Sequence, residues 1–455
     1  MSQASRGQAQ SNYRRVRAGN EQRYSSRASW LSRNVRLPPD LQPSLVLMPV
    51  VLPPRPETPP PSPPHAVVWL LICAVIMATA VLYTLFAWPV STPTGTAWFW
   101  TRLVGFPALA CVILYGLRLL YFEREAERAQ AEKDQWMEDC EEATRFAQEP
   151  LALLASSYLC SLGDRDVVDF ILAGGKKLES QTPVGGVETI RHTALSLIDD
   201  ALLADRYASC YRELLAAIDD SLRVLPGSVP FEVYLHGGVN LEASELRGVW
   251  QACWAEAGYR AVEAIVLERE GVMALDAWLD TYGGAALEKF ALFVAVQLHE
   301  VPPADSAEAA VALLLGWTPL AERNGSPIRA LVHRPVESLS GNLDAALSMA
   351  LLSGRADPKT VADVWQTGLA PADKFAMLDI SSEIGLGASK TDELSGFHDM
   401  DLVIGHAGVA DAWLAIALAA ECARQTGKAQ AVATRQHHLR FAVIQPAEDH
   451  DLEPA

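Results

Sequence analysis

Hydrophobic and polar positions divide the chain into two long apolar runs, one charged run and a long alternation of short apolar segments with amphipathic ones. The first run, "AVVWLLICAVIMATAVLYTLFAW" at residues 66–88, has 23 residues and no charge. At about 1.5 Å per residue a helix of this length exceeds the roughly 30 Å of a bilayer's hydrocarbon core. A short polar turn leads to a second apolar segment at 97–122, which predicts a span over 99–122. Arg102 and Arg118 lie close enough to its ends to snorkel, and Trp88, Trp98 and Trp100 flank the turn where an aromatic belt would sit. Residues 123–149 are dense in Glu, Arg and Ala without sustained apolar heptads, which predicts a solvated helical stalk stopped by Pro150.

Beyond Pro150 the period alternates. Apolar stretches at 150–160, 230–236, 261–267, 290–298, 329–335 and 375–380, and a pair within 429–446, read as strands. Helical periodicity falls at 205–225, 243–257 and 272–282, in two pieces within 342–369, and after His406. The first of these puts Tyr207, Cys210, Tyr211, Leu214, Ile218 and Leu222 on one face. The apolar run before His406 reads as one more strand, and His437–His438 fall at the start of an edge strand with a structural role. The pattern predicts an α/β class: a two-helix transmembrane hairpin at 66–122 followed by one layered α/β domain at 150–446, with a disordered tail at 447–455.

Charge orients this plan. Residues 1–65 carry nine Arg, no Lys and three acids, about +6, in a chain of net charge −18, which leaves −24 on residues 66–455. The acidic body argues against nucleic acid as a partner. Nine arginines before the first span, with Arg118, Arg124 and Arg128 at the end of the second, place both termini on the cytoplasmic side. The arm ends in "PPRPETPPPSPP" at 53–64, eight prolines in twelve residues, which reads as a disordered polyproline spacer.

Candidate chemistry is sparse. Seven cysteines are scattered without a C-x-x-C pair or neighbouring His, so they read as buried thiols and no metal is expected. "AGGKKLES" (173–180) fails as a phosphate loop, "GLGASK" (385–390) fails as a dinucleotide loop, and neither H-E-x-x-H nor G-x-S-x-G occurs; no cofactor is expected.

Four stretches carry a resemblance. "GVMALDAWLDTYGGAALEKFALFVAVQLHE", "SAEAAVALLLGWTPLAERNGSPIRALVHRP", "DLVIGHAGVADAWLAIALAAECARQTGKAQAVA" and "LRFAVIQP" resemble the thiolase-like fold of β-ketoacyl synthases over about 260–446, with 150–255 supplying the first half of a duplicated fold. In that family a cysteine at a buried helix N-terminus is acylated, and two histidines support decarboxylation and the developing oxyanion. The resemblance places the nucleophile near Gly271, yet no cysteine lies between Cys253 and Cys422, and "HRPVES" (333–338) does not replace the first histidine's motif. His406, in "IGH", matches the second histidine and is the best candidate if the protein is an enzyme; otherwise it is a structural histidine at a helix N-terminus.

Three functions follow as expectations. In layout the chain is similar to membrane-anchored accessory proteins of bacterial type VI secretion, which implies a non-enzymatic adaptor for a secreted toxin or secretion component. Alternatively His406 serves an enzyme acting on a thioester or lipid, with a second titratable group such as Asp379, Glu383 or His398 within reach. The third expectation is a subunit whose body forms a homodimer.

Overall fold

The computed structural model describes residues 53–55, 61–89, 93–182, 189–195, 202–238, 240–268, 270–281, 284–338 and 342–447. Most of the arm and the tail from residue 448 lie outside the described residues. The chain forms two compact units, Val51–Arg145 and the domain that begins at Phe146.

In the first unit, helix Ala66–Ala87 and helix Ala97–Ala147 are both long and apolar enough to cross a bilayer. Trp69 meets Tyr115, Cys111 Sγ approaches the Cys73 carbonyl, and Trp88 meets Phe99 edge-on at 4.9 Å. The partner numbers rise on one helix as they fall on the other, so the pair is an antiparallel hairpin. Most of the large apolar side chains point outward, Phe86 at 97% exposure, as a lipid-facing surface requires. A π-helical turn at Thr101–Gly105 precedes Pro107, whose missing N–H interrupts the regular ladder. The helix then runs unbroken through the charged stretch to Ala147, so second span and stalk are one element.

The domain is built on an 11-stranded sheet in which the chain repeats itself. The strands in chain order are β1 Leu151–Leu159, β2 Ser180–Gln181, β3 Ile190–Thr193, β4 Phe231–Gly237, β5 Ala264–Val266, β6 Phe290–Gln297, β7 Ser306–Ala307 and β8 Ala309–Trp317. They continue as β9 Ala330–Val332, β10 Val336–Ser338, β11 Asp363–Thr367, β12 Phe397–Asp399, β13 Gln430–Arg435 and β14 Leu439–Pro446. In the first half β4 pairs in parallel with β5 and β6, β6 pairs antiparallel with β8, and β8 antiparallel with β1. In the second half β11 pairs in parallel with β12 and β13, β13 antiparallel with β14, and β14 antiparallel with both β9 and β10. These are the same pairings, with β9 and β10 together standing where β1 stands in the first half. The halves join where β1 meets β9, and β2, β3 and β7 form a separate small sheet.

Helices between equivalent strands correspond as well: Leu203–Ala217 with Leu343–Ser353, Ala243–Glu256 with Pro371–Glu383, and Met273–Leu279 with Asp411–Thr426. The first half therefore runs to Trp317, well past residue 255. Helix Asp411–Thr426 packs against β1 and β8 of one half and β9, β11, β13 and β14 of the other. Its residues from Asp411 to Ala420 are all buried, and alanines at 412, 415, 417, 419 and 420 let strands of both halves approach it closely. A helix apolar on every side is the sequence signature of such a place. β6 and β8 are likewise buried along their whole length, as strands covered on both faces are.

Several expectations are corrected. Residues 375–380 lie in helix Pro371–Glu383, led by Pro371 at its first position. Residues 363–367 are strand β11 and not the second helix of 342–369. The run before His406 is the helical turn Met400–Val403, capped by the Asp399 side chain. β14 lies inside the sheet between β13 and β9, so His437–His438 occupy a hairpin turn and not a sheet edge.

Candidate functional site

The duplication puts two helix N-termini in equivalent places, one at Gly271 and one just after His406. Their chemistry differs completely.

His406 is fixed by its backbone. Its N–H donates to the Asp305 carbonyl at 2.9 Å, and its own carbonyl accepts from Ala307 N–H at 2.8 Å. Gly405 stands at φ 101°, and a Cβ there would lie 2.6 Å from the Ser306 carbonyl oxygen; only glycine fits. The imidazole is about half exposed, at 53% of its side-chain surface, and its Nδ1 rests against the buried Asp411 carboxylate, with Asp401 Oδ1 3.9 Å away. Asp411 is held in turn by Ala407 N–H at 2.6 Å. Asp401 accepts from Gly368 N–H at 2.9 Å and Thr367 Oγ1 at 3.1 Å. The Asp411 hydrogen bond raises the His406 pKa above its ordinary value, against the opposing effect of burial. Burial, then the neighbouring Asp411 charge, raises that of Asp401.

A histidine with Nδ1 held by a buried carboxylate is oriented, with Nε2 left to meet a ligand as proton donor or acceptor. The groups against it are Asp411 and Asp401, in place of the expected Asp379, Glu383 or His398. His398 instead bonds Asp363 through Nε2 at 2.9 Å. Asp401, His406 and Asp411 are also the described residues whose ligand atoms, within 4.8 Å of one another, could hold a metal ion. Asp411 Oδ1 and the Asp401 carboxylate already accept backbone N–H groups. The spacing that would have revealed Asp411 is short: an acid in the first turn of a helix, five residues after His406.

The other end is closed. Gly271 has φ 52°, and a Cβ there would meet Gln436 Oε1 at 2.5 Å. Gln436 is held by Arg440 Nη1 at 2.6 Å; the same nitrogen reaches the Glu270 carbonyl at 3.3 Å, and Arg440 Nε bonds Glu337 at 2.8 Å. Val272 follows. The space beside it, lined by Ala412, Ile416, Thr434 and Phe441 among others, measures about 10 Å³, the scale of a single water.

His236, buried on β4, accepts from Trp413 Nε1 at 3.3 Å, and burial lowers its pKa to about 4, so it is neutral. Beneath the helix after Val272, fully buried Arg334 pairs with Asp276 at 2.7 Å and with Asp280. A second cluster, unforeseen in the sequence, sets His192 Nδ1 2.8 Å from Ser306 Oγ. The serine hydroxyl donates to the Pro303 carbonyl at 2.6 Å, so the imidazole is the donor to it and this pair is no nucleophile and base. Buried Glu308 completes the cluster by accepting from Leu195 N–H, His299 N–H and Arg206. Cys111, Cys160, Cys210, Cys253 and Cys422 are buried, and no disulfide forms among the described residues.

The described residues thus form a mixed α/β domain on a duplicated sheet, together with two helices long and apolar enough to cross a membrane. No protein-family description matches the sequence, and no curated relative is found. Among solved structures it is similar to ketosynthase twelve of the bacillaene polyketide synthase of Bacillus amyloliquefaciens, at 12% identity and TM-score 0.49, covering 66% of this chain and 76% of that one. An oxazolomycin ketosynthase domain of Streptomyces albus matches at 14% identity and TM-score 0.45, over 66% and 95% of the two chains. The ishigamide ketosynthase/chain length factor matches at 14% and 0.45, over 65% and 99%.

Proposed function

We propose that this protein is a non-enzymatic adaptor anchored in a bacterial inner membrane by the 66–122 hairpin, with both termini cytoplasmic. Its body holds a protein cargo for export, in the manner of the type VI secretion accessory proteins it resembles in layout. The observation that carries the non-enzymatic part is the closed Gly271 end. Val272 replaces any nucleophile, Gln436 and Arg440 occupy the approach, and the space behind is too small for an acyl chain. Covalent acyl transfer needs an activated nucleophile with room for its adduct, and neither is present at that position. The anchor and the acidic body support a scaffold working at the membrane surface.

The His406 to Asp411 contact favours a second reading, an enzyme acting on a thioester or lipid with His406 as general acid or base. His406→Ala separates the two. In cells that depend on the protein to export a cargo, the adaptor reading expects export unchanged. Loss of export by a variant that melts at the wild-type temperature would overturn it in favour of the enzyme.

A further inference from the structure

Trp136 is the single aromatic residue of the charged stretch 123–145, and its indole meets the arm. Its Nε1–H donates to the Pro53 carbonyl at 3.0 Å, across 83 positions of sequence, and both residues are half-buried. Pro53 opens "PPRPETPPPSPP", the proline run at 53–64. An aromatic surface that offers a polar N–H to the carbonyls of a proline-rich segment is the usual way such segments are recognised.

Chain length lets this contact hold the whole run beside the helix. Trp69 against Tyr115 and Cys73 against Cys111 set the hairpin's register and bring Ala66 level with Arg118. Trp136 lies 18 residues farther along the unbroken helix Phe106–Ala147, a distance of about 27 Å. The 13 peptide steps from Pro53 to Ala66 reach about 40 Å as a polyproline helix, enough to cover that distance with slack. The run ends extended, with His65 at φ −66° and ψ 113°, and the fixed φ of proline leaves little freedom to lose on docking. Charge favours the same placement. Six of the eleven residues from 132 to 142 are acids, against one lysine, and Asp134 and Asp139 accept from Gln130 and Gln135, neutral groups that leave the charge in place. The segment leading into Pro53 carries the chain's excess of positive charge, with eight arginines and one acid in residues 1–36. A run pinned at Trp136 keeps these opposite charges together.

We propose that residues 53–64 are a strap that docks in cis on the stalk helix, with Trp136 as its receptor. The proline run is then a ligand of its own chain and not a free spacer, and the arm is turned back along the stalk.

The test uses the full-length protein in mild neutral detergent, with Cys73→Ser and Cys140→Ser and with spin labels on Arg55→Cys and Lys133→Cys, both exposed positions. Pulsed electron spin resonance should give one narrow distance of about 25 Å or less, since each label stands within three residues of the contact between Pro53 and Trp136. Trp136→Ala should spread it into a broad distribution reaching farther out, and Trp136→Phe, which keeps a ring and loses the N–H, should spread it part of the way. Pro53→Gly with Pro54→Gly should broaden it from the strap side, without touching the helix. A broad distribution in the parent protein, or a narrow one that survives all of these changes, would overturn the proposal. Mixing with an excess of unlabelled protein should leave the distance unchanged; its loss would mean docking on a second copy and would overturn the assignment in cis.

Discussion

Helices Met273–Leu279 and Asp411–Thr426 stand in the same place in two halves with the same strand pairing, yet one end is sealed and the other is open. At Gly271 the approach is filled by Gln436 and clamped by Arg440. At His406 the imidazole is half exposed and oriented by Asp411. A duplicated scaffold fixes where helix ends point; the side chains around each end decide whether anything is done there. The halves also differ in how their central helix is secured: a buried ion pair through Arg334 in the first, close packing of alanines in the second.

The largest effect should come from breaking the first device. Arg334→Ala leaves Asp276 buried without its partner, and loss of about 3–5 kcal/mol is expected in urea unfolding. Arg334→Met with Asp276→Leu should recover much of it. Next, Ala417→Leu overfills the helix shared by both halves, with an expected loss of about 1–3 kcal/mol by the same measurement; no loss would mean the strands do not close on that helix.

A smaller effect concerns pH. Burial lowers His236 and His333 to about 4, so the folded state binds fewer protons there than the unfolded chain. Stability from these two is present above about 6.5 and is lost as pH falls toward 4. Asp276, raised to about 6 by burial, works the other way, since its folded form takes up a proton earlier. The net expectation is an acid-side decline in melting temperature, and His236→Gln should flatten it.

The smallest effect is local. His406 is raised, so its contribution is complete below its ordinary value and fades as pH rises through the folded one. Asp411→Asn should move its NMR titration midpoint downward. An unchanged midpoint would show that the two side chains do not meet.

Where the sequence could be read, a simple period was present. The strand at 290–298 and the apolar face at 205–225, carried by two helices Leu203–Ala217 and Asp219–Val224, bury what their pattern predicts, and the hairpin has the length and the outward apolar surface its pattern predicts, because one face or one length decides them. Residues 375–380 are apolar enough for a strand, but Pro371 and the acid at Asp373 start a helix there. The duplication was only half legible, since its two copies share strand order and not residues. Gly405 and His406 stood out, whereas Asp411 did not, because an acid in a helix's first turn usually serves the helix alone. Gln436 against Gly271 is a contact between residues far apart in the chain, which no local pattern encodes.

The most direct test is to extract the epitope-tagged full-length protein from native membranes with mild detergent and identify what stays bound by mass spectrometry. The adaptor account predicts a stoichiometric secreted toxin or a component of its secretion machinery, retained equally by His406→Ala. Recovery of no protein, with an acyl or lipid species retained by wild type and lost from His406→Ala, would contradict it.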